Sequence, residues 1–412
     1  MNKLTKSILE QYEDNIKELD ISNKNITGTI DLSRFKNLIK LNCSGNKITK
    51  INGSRLISNI NYSNNSIKFI SNYNLFDIQS ILTNPINEIE YPFTQNISIF
   101  PDTLKKIKFS HSFNDNVDNL PNGLEIIVFG VNFNKSVNNL PNTIKEIYFG
   151  TDFNQSIDNL PCSLVLVVFG GHFNKSIDNL PTGLNQIKFE PEKYQLESEF
   201  NNNINYLPNR LEKLILPVNF NNQIINYPPN IKYLYLGKSF NQSLDNIPDS
   251  IEVLIFDSTY DKELKKFPSN LKHLTISNKM SYYSSLLKKI PNNLTSLYLP
   301  EPSLSLLNNE LILNLKKIKL RKFYYEPITM NIIKNSKFEE IILGICDIKL
   351  PTLFDILPIT VKKLKLLNSD RKNIRIKTNL IPNNLIFFQI NGKKYDENKL
   401  KKIKKETFYV FN

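Results

Sequence analysis

Tryptophan is absent from this 412-residue chain, and methionine, cysteine and histidine occur three times each. Cys43, Cys162 and Cys346 are odd in number and far apart in sequence. They make no disulfide framework and suit a reducing compartment. No Cys-x-x-Cys pair is present to found a zinc site. Long apolar runs are missing as well. The longest candidate, SLVLVVFGG, falls far short of the ~18 residues that a membrane helix needs. The opening MNKLTKSILEQYEDNIKELD has no apolar core of a secretory leader. These absences predict a chain without a membrane span, placed in the cytoplasm, or in host cytoplasm if the chain is viral.

Glycine, at 12, is scarce for a loop-rich β protein, whereas 40% hydrophobic content and 26 phenylalanines supply a buried core. Asparagine, isoleucine and lysine are abundant, the bias of an AT-rich coding sequence. Net charge is +13, and residues 311–412 carry all of it, with 22 Lys+Arg against 9 Asp+Glu. The preceding residues hold 30 of each sign. A basic end region invites an anionic partner, or serves only as a solvated face that keeps the chain dispersed.

A short motif, apolar-x-x-apolar-x-apolar, organises the rest. It begins at Leu104, Leu124, Ile144, Leu164 and Leu184, and after a seven-residue insertion at Leu211, Ile231, Ile251 and Leu271. Looser copies begin at Leu294, Leu315, Phe338, Val361 and Leu385, which makes 14 units. Alternation over so few positions, with β-branched and aromatic types, reads as a short strand. Proline closes each strict unit and belongs to the turn before the next strand, where its missing N–H does no harm. A twenty-residue coil with one strand cannot bury an apolar face by itself, so it stacks on its copies.

Two residues recur between strands. Phe113, Phe133, Phe153, Phe173, Phe200, Phe220 and Phe240 are expected to stack inside the coils. Asn114, Asn134, Asn154, Asn174, Asn201, Asn221 and Asn241 follow them, as a ladder that satisfies backbone groups at the turn. Tyr260-Asp261 is the last, degenerate copy. Nearer the start, IKELDISNKNI, LIKLNCSGNKI and ISNINYSNNSI fit a leucine-rich-repeat pattern, with Asn46 and Asn65 at its asparagine position and Lys24 replacing it in the first. A weaker fourth copy runs from Phe76 to Ile86.

FNQSIDNLP, FNKSIDNLP and FNQSLDNIP resemble the FNIP repeat, a leucine-rich-repeat-like unit. It is similar to that found in proteins of social amoebae and of giant viruses that infect amoebae. The resemblance implies a mainly β, leucine-rich-repeat-like solenoid with one short parallel strand per ~20-residue coil, used for protein–protein contact. Some such proteins carry an N-terminal F-box and are thought to present ubiquitin-ligase substrates. Here about fifteen residues precede the first repeat, so an adaptor role would need a separate link. The expected organisation is an N-terminal cap at 1–15, leucine-rich-repeat-like coils at 16–92, FNIP-type repeats at 93–276, degenerate repeats at 277–392 and a basic cap or tail at 393–412. In the tail, Leu400 and Ile403 share one face of a short helix.

Strand residues between the inward positions face the other, concave side of the sheet. They should be polar if that side merely met water. Ile126, Val128, Tyr148, Leu166 and Val168 form one apolar stripe, and Ile215, Tyr233, Tyr235, Val253 and Ile255 another, with Tyr298 beyond. Lys317, Lys319 and Arg321 then turn the face basic, joined by Lys363 and Lys365 and interrupted by Glu340. A stripe of this kind marks a partner-binding surface, a self-association surface, or plain strand preference.

Catalytic residues, a metal and a cofactor are not expected. His111 and His172 stand three coils apart in such an array, roughly 15 Å by strand spacing, and Glu339 and Glu340 point to opposite faces of a strand. Nucleic-acid motifs are lacking. The reading is a non-enzymatic scaffold for a protein partner, or else a structural component that self-associates.

Overall fold

Strands of the repeat begin two residues after the first apolar residue of each motif, because a tight turn stands before them. The Pro121 carbonyl accepts the Leu124 N–H at 3.2 Å, Pro141 that of Ile144 at 3.2 Å and Pro161 that of Leu164 at 3.1 Å. Pro228, Pro248 and Pro268 do the same for Ile231, Ile251 and Leu271. Proline opens each turn as an acceptor only, a position that uses its fixed φ and asks for no N–H. The chain is known here as a computed structural model. It describes residues 3–53, 59–61, 65, 69–71, 88–91, 100, 102–189, 198–256, 260–277, 283–301, 303–323, 326–345, 350–368, 376–377, 381–390, 392–405 and 409–410. They fall into two units, Met1–Leu211 and Glu212–Asn412.

The first unit opens with a helix, Lys3–Leu9. Two strands per coil follow: β1 (Glu18–Asp20), β2 (Thr27–Asp31), β3 (Lys40–Asn42), β4 (Lys47–Asn52), β5 (Asn59–Asn61) and β6 (Phe69–Ser71). Then comes one strand per coil: β7 (Glu88–Tyr91), β8 (Lys106–Phe109), β9 (Ile126–Val128), β10 (Glu146–Tyr148), β11 (Leu166–Phe169) and β12 (Gln186–Phe189). All pairings are parallel. The motif strands β1, β3 and β5 form a sheet of their own. The sheet of the later repeats continues instead from β2, β4 and β6 into β7 and β8. Ile30, Ile48 and Ile51, all fully buried, give these second strands their inward face. The weaker copy at 76–86 and the insertion at 190–197 lie outside the described residues.

Asn46 holds the N-terminal coils together. Its side-chain oxygen accepts from the backbone N–H of Lys24 (2.9 Å) and Ile26 (3.0 Å). Its amide donates to the carbonyls of Ile21 (2.9 Å), Cys43 (2.8 Å) and Ser44 (3.2 Å). Asn65 repeats the arrangement one coil on, accepting from Ile48 and donating to Cys43.

In the later coils phenylalanine stacks in two columns. Phe113, Phe133, Phe153, Phe173 and Phe200 form the anticipated one. The strand-end residues Phe109, Phe129, Phe149, Phe169 and Phe189 form a second beside it. Within a coil the pair is closer still: Phe149 and Phe153 have ring centroids 3.8 Å apart and 9° from parallel. The asparagine after each inner phenylalanine carries a bond from coil to coil. Asn114, Asn134 and Asn154 accept from the backbone N–H of Asn134, Asn154 and Asn174 at 2.9–3.0 Å. Past the insertion Asn202 also joins the coils, donating to the Asn174 carbonyl at 3.1 Å.

Such stacking leaves no room at one corner. A Cβ placed on Gly150 would lie 1.9 Å from the Gly130 carbonyl oxygen. Gly150→Ala must therefore push two coils apart against a fixed backbone, at a cost of about 1–3 kcal/mol. Thermal unfolding followed by circular dichroism checks this. An unchanged midpoint would show that the coils slide freely.

The second unit repeats the single-strand design in β13 (Lys213–Ile215), β14 (Tyr233–Leu236), β15 (Val253–Phe256), β16 (His273–Ile276), β17 (Ser296–Leu299), β18 (Lys317–Phe323), β19 (Glu340–Ile345) and β20 (Lys363–Asn368). After β21 (Ile376–Lys377), β22 (Phe387–Ile390) continues the parallel sheet beside β20. An antiparallel strand, β23 (Lys393–Tyr395), then covers its open edge. A helix, Glu397–Lys405, buries Leu400 beneath it, whereas the Ile403 side chain lies outside the described residues. The two-residue β24 (Tyr409–Val410) pairs antiparallel with β21. Asn221 and Asn241 keep the asparagine ladder, with Asp261 donating its N–H to Asn241 at 3.0 Å. Phe220 stacks on Phe240 at 6.3 Å, and Tyr260 fills the next rung, 1% exposed.

Coils of this unit lengthen, and the sequence reading did not anticipate how. Leu294 follows Leu271 by 23 residues, and the added residues wind into short helices on the return side. Tyr283–Lys288, Asn309–Asn314, Pro327–Lys334 and Leu350–Asp355 are these helices. Local chemistry starts them: the Asn308 side chain caps the second through the Glu310 N–H at 2.9 Å, and Pro327 sits in the first turn of the third.

In two runs of coils, opposite charges alternate along the first position after the turn. In the first unit Lys105 and Lys145 flank Glu125 at 3.3 and 2.7 Å. In the second, Lys232 pairs with Glu212 at 3.1 Å and Lys272 with Glu252 at 2.8 Å. These pairs are exposed and individually weak.

Candidate interaction face

Strand register sorts the residues that point away from the core into two rows. In the first unit one row runs Lys106, Ile126, Glu146, Leu166, Gln186. Its neighbour runs Lys108, Val128, Tyr148, Val168, Lys188. Ile126, Val128 and Tyr148 are half-buried. Tyr148 donates its hydroxyl to Glu146 of its own strand at 2.8 Å, which ties its side chain to the neighbouring row. Leu166 and Val168 differ from the expectation of an open stripe. They are 7% and 2% exposed. They form floor rather than contact surface.

In the second unit the rows run Lys213, Tyr233, Val253, His273, Ser296, Lys317, Glu340, Lys363, Phe387 and Ile215, Tyr235, Ile255, Thr275, Tyr298, Lys319, Ile342, Lys365, Gln389. Ile215, Tyr233, Tyr235, Val253, Ile255 and Tyr298 are all half-buried. The Lys213 ammonium lies over the Tyr233 ring, 4.4 Å from its centroid. Burial pushes the Tyr233 hydroxyl above its ordinary pKa. His273 is held below its usual value by burial and by the charges of Lys317 and Lys272.

The basic end is arranged around one carboxylate. Glu340 pairs with Lys365 at 3.0 Å and with Lys317 at 3.4 Å. Partial burial works to raise its pKa, but the hydrogen bond from Lys365 and the charges of both lysines outweigh burial and hold it below the usual range. Lys319 instead sits over the Tyr298 ring at 4.1 Å. Burial, then the charges of Lys317, Arg321 and Lys365, depress its pKa. Arg321 reaches along the sheet to the Ser277 carbonyl at 3.2 Å. In the sequence Glu340 reads as an interruption of the basic strip. In three dimensions it is the hub, a role set by strand register. Phe387, under Lys365 at 5.8 Å, was not singled out from the sequence; its place opposite Lys363 was the available signal.

Among the described residues no group of His, Cys, Asp and Glu is placed to hold a metal ion, and no helix is long and apolar enough to cross a membrane. His172 faces Asp152 at 3.3 Å on the surface.

A family model and one solved structure agree with this architecture. The FNIP repeat matches residues 113–152 and 136–172 in the first unit and 222–258 and 240–279 in the second. No curated protein matches the sequence. Among solved structures, CroV588, a circular leucine-rich-repeat protein of the giant virus CroV, aligns with a TM-score of 0.56 at 20% identity, over 91% of this chain and 69% of that one. YopM from Yersinia enterocolitica aligns with a TM-score of 0.38 at 15% identity, over 91% and 80% of the two chains. The chain carries FNIP repeats in both units and has the fold of a leucine-rich-repeat-like solenoid.

Proposed function

We propose that the chain is a non-enzymatic scaffold that binds a protein partner through the outward face of its sheet. One observation carries this reading. Tyr233, Tyr235, Val253 and Ile255 adjoin one another by register and stay half-buried where a sheet that met only water would be polar. Tyrosine suits such a surface, since its ring packs while its hydroxyl stays wet. Typical FNIP and leucine-rich-repeat solenoids are themselves scaffolds, which supports the same reading.

The test is affinity capture with tagged wild-type chain beside Tyr235→Lys/Ile255→Lys, both checked for fold by circular dichroism. Loss of a discrete partner is expected, since buried tyrosine anchors are worth about 2 kcal/mol or more each. Partner retention by the folded double variant overturns the proposed face. Light scattering on the same samples separates the remaining possibility: if wild type is oligomeric and the variant monomeric, the face joins copies of the chain in a structural assembly.

A further inference from the structure

We propose that the basic strip of β17–β20 and β22 holds an extended acidic segment of a partner protein, its carboxylates seated on Lys319 and Lys365. This deepens the scaffold reading and rests on it. Lys317, Lys319, Lys363 and Lys365 project from the outward rows of two strands, β18 and β20, with Arg321 exposed farther along β18. Among the described residues, Glu340 is the one carboxylate that ion-pairs with these four lysines, and it is already shared by Lys317 and Lys365. Lys319 stands half-buried among like charges. The free protein bears that repulsion, and an incoming carboxylate relieves it.

The surroundings choose between anions. Single-stranded nucleic acid needs open aromatic faces on which bases stack. Here the Tyr298 face is occupied by Lys319 and the Phe387 face by Lys365. A carboxylate needs only the ammonium, and the ring edges remain for its apolar neighbours. Spacing narrows the segment further. Ile342 separates Lys319 from Lys365 in the row, so the two lysines stand two strands apart, roughly 9.6 Å. A polyproline-type chain brings every third residue to one side after roughly 9.3 Å. The segment that fits has acidic residues at i and i+3, with apolar residues between.

The experiment uses the full chain and a fluorescein-labelled peptide of four Glu-Pro-Leu repeats, read by anisotropy. The Gln-Pro-Leu counterpart, oligo-dT and phosphatidylserine vesicles are the competitors. Binding of the Glu peptide alone, weakened ~10-fold or more by Lys319→Glu, is expected. Glu340→Gln is expected to tighten it ~3-fold, because Lys317 and Lys365 lose their internal anion. A merely structural glutamate would not produce that gain. No binding of the Glu peptide, equal binding of the Gln peptide, tighter binding of oligo-dT or vesicles, or an affinity indifferent to Lys319→Glu would each overturn the assignment. If it falls while Tyr235→Lys/Ile255→Lys still releases a captured partner, the scaffold reading stands without it.

Discussion

Phe153→Ala is expected to destabilise the first unit by about 3–5 kcal/mol. The ring is fully buried and stacks on Phe149 within its coil and on Phe133 and Phe173 in the coils to either side. A cavity here cannot collapse, because the coil spacing is fixed by the parallel ladder on one side and the asparagine bonds on the other. Each coil of a repeat array rests mainly on its neighbours, so the damage is local in origin but removes both interfaces of one rung. Urea unfolding followed by circular dichroism gives the size, and hydrogen exchange gives the place. Backbone amides of 126–128, 146–148 and 166–168 should lose protection before those of 18–20 and 40–42. A loss below ~1 kcal/mol would mean that the two phenylalanine columns repack as liquid hydrocarbon does.

Asn46→Ala is the second large effect, and its cause is polar. Two N–H groups and three carbonyls lose a partner in a site that is 6% exposed. Each orphaned group costs about 1–3 kcal/mol. Asn65 still serves the Cys43 carbonyl and the Asn23 N–H the Ser44 carbonyl, so three groups are orphaned and the expected total is about 3 kcal/mol or more. Asn154→Ala is the internal comparison. That residue accepts a single backbone bond, from Asn174, and is half-buried, so about 1 kcal/mol is expected. Equal losses in urea titrations of the two variants would show that Asn46 is no more than another turn residue.

Much of the fold was legible because a repeat repeats its reasons. The interval from Leu124 to Ile144 to Leu164 set the coil, and the proline before each set the turn. Phe133 and Asn134 marked a rung that recurs with little change as far as Tyr260 and Asp261. Two features were not legible. The N-terminal motif strands peel into a sheet of their own, a choice that Leu19 and Leu41 do not announce, since the second strands are just as apolar inside. The return-side helices arise from a few added residues and one cap, too short to carry a helical period. The candidate face was half legible. Alternation told which residues point outward, but not how far each of them is covered. Val168 is buried and Val128 only half-buried, although each stands between a lysine and a tyrosine in the row, and alternation does not separate them.

The two runs of alternating charges beside the turns each have a parity. Lys105, Glu125 and Lys145 stand in successive coils, as do Glu212, Lys232, Glu252 and Lys272. A coil gained or lost singly within either row brings two like charges side by side, which neighbouring strands oppose. A pair gained or lost together leaves the sequence of signs intact. Electrically, then, the building block of each run is two coils, although the hydrophobic block is one.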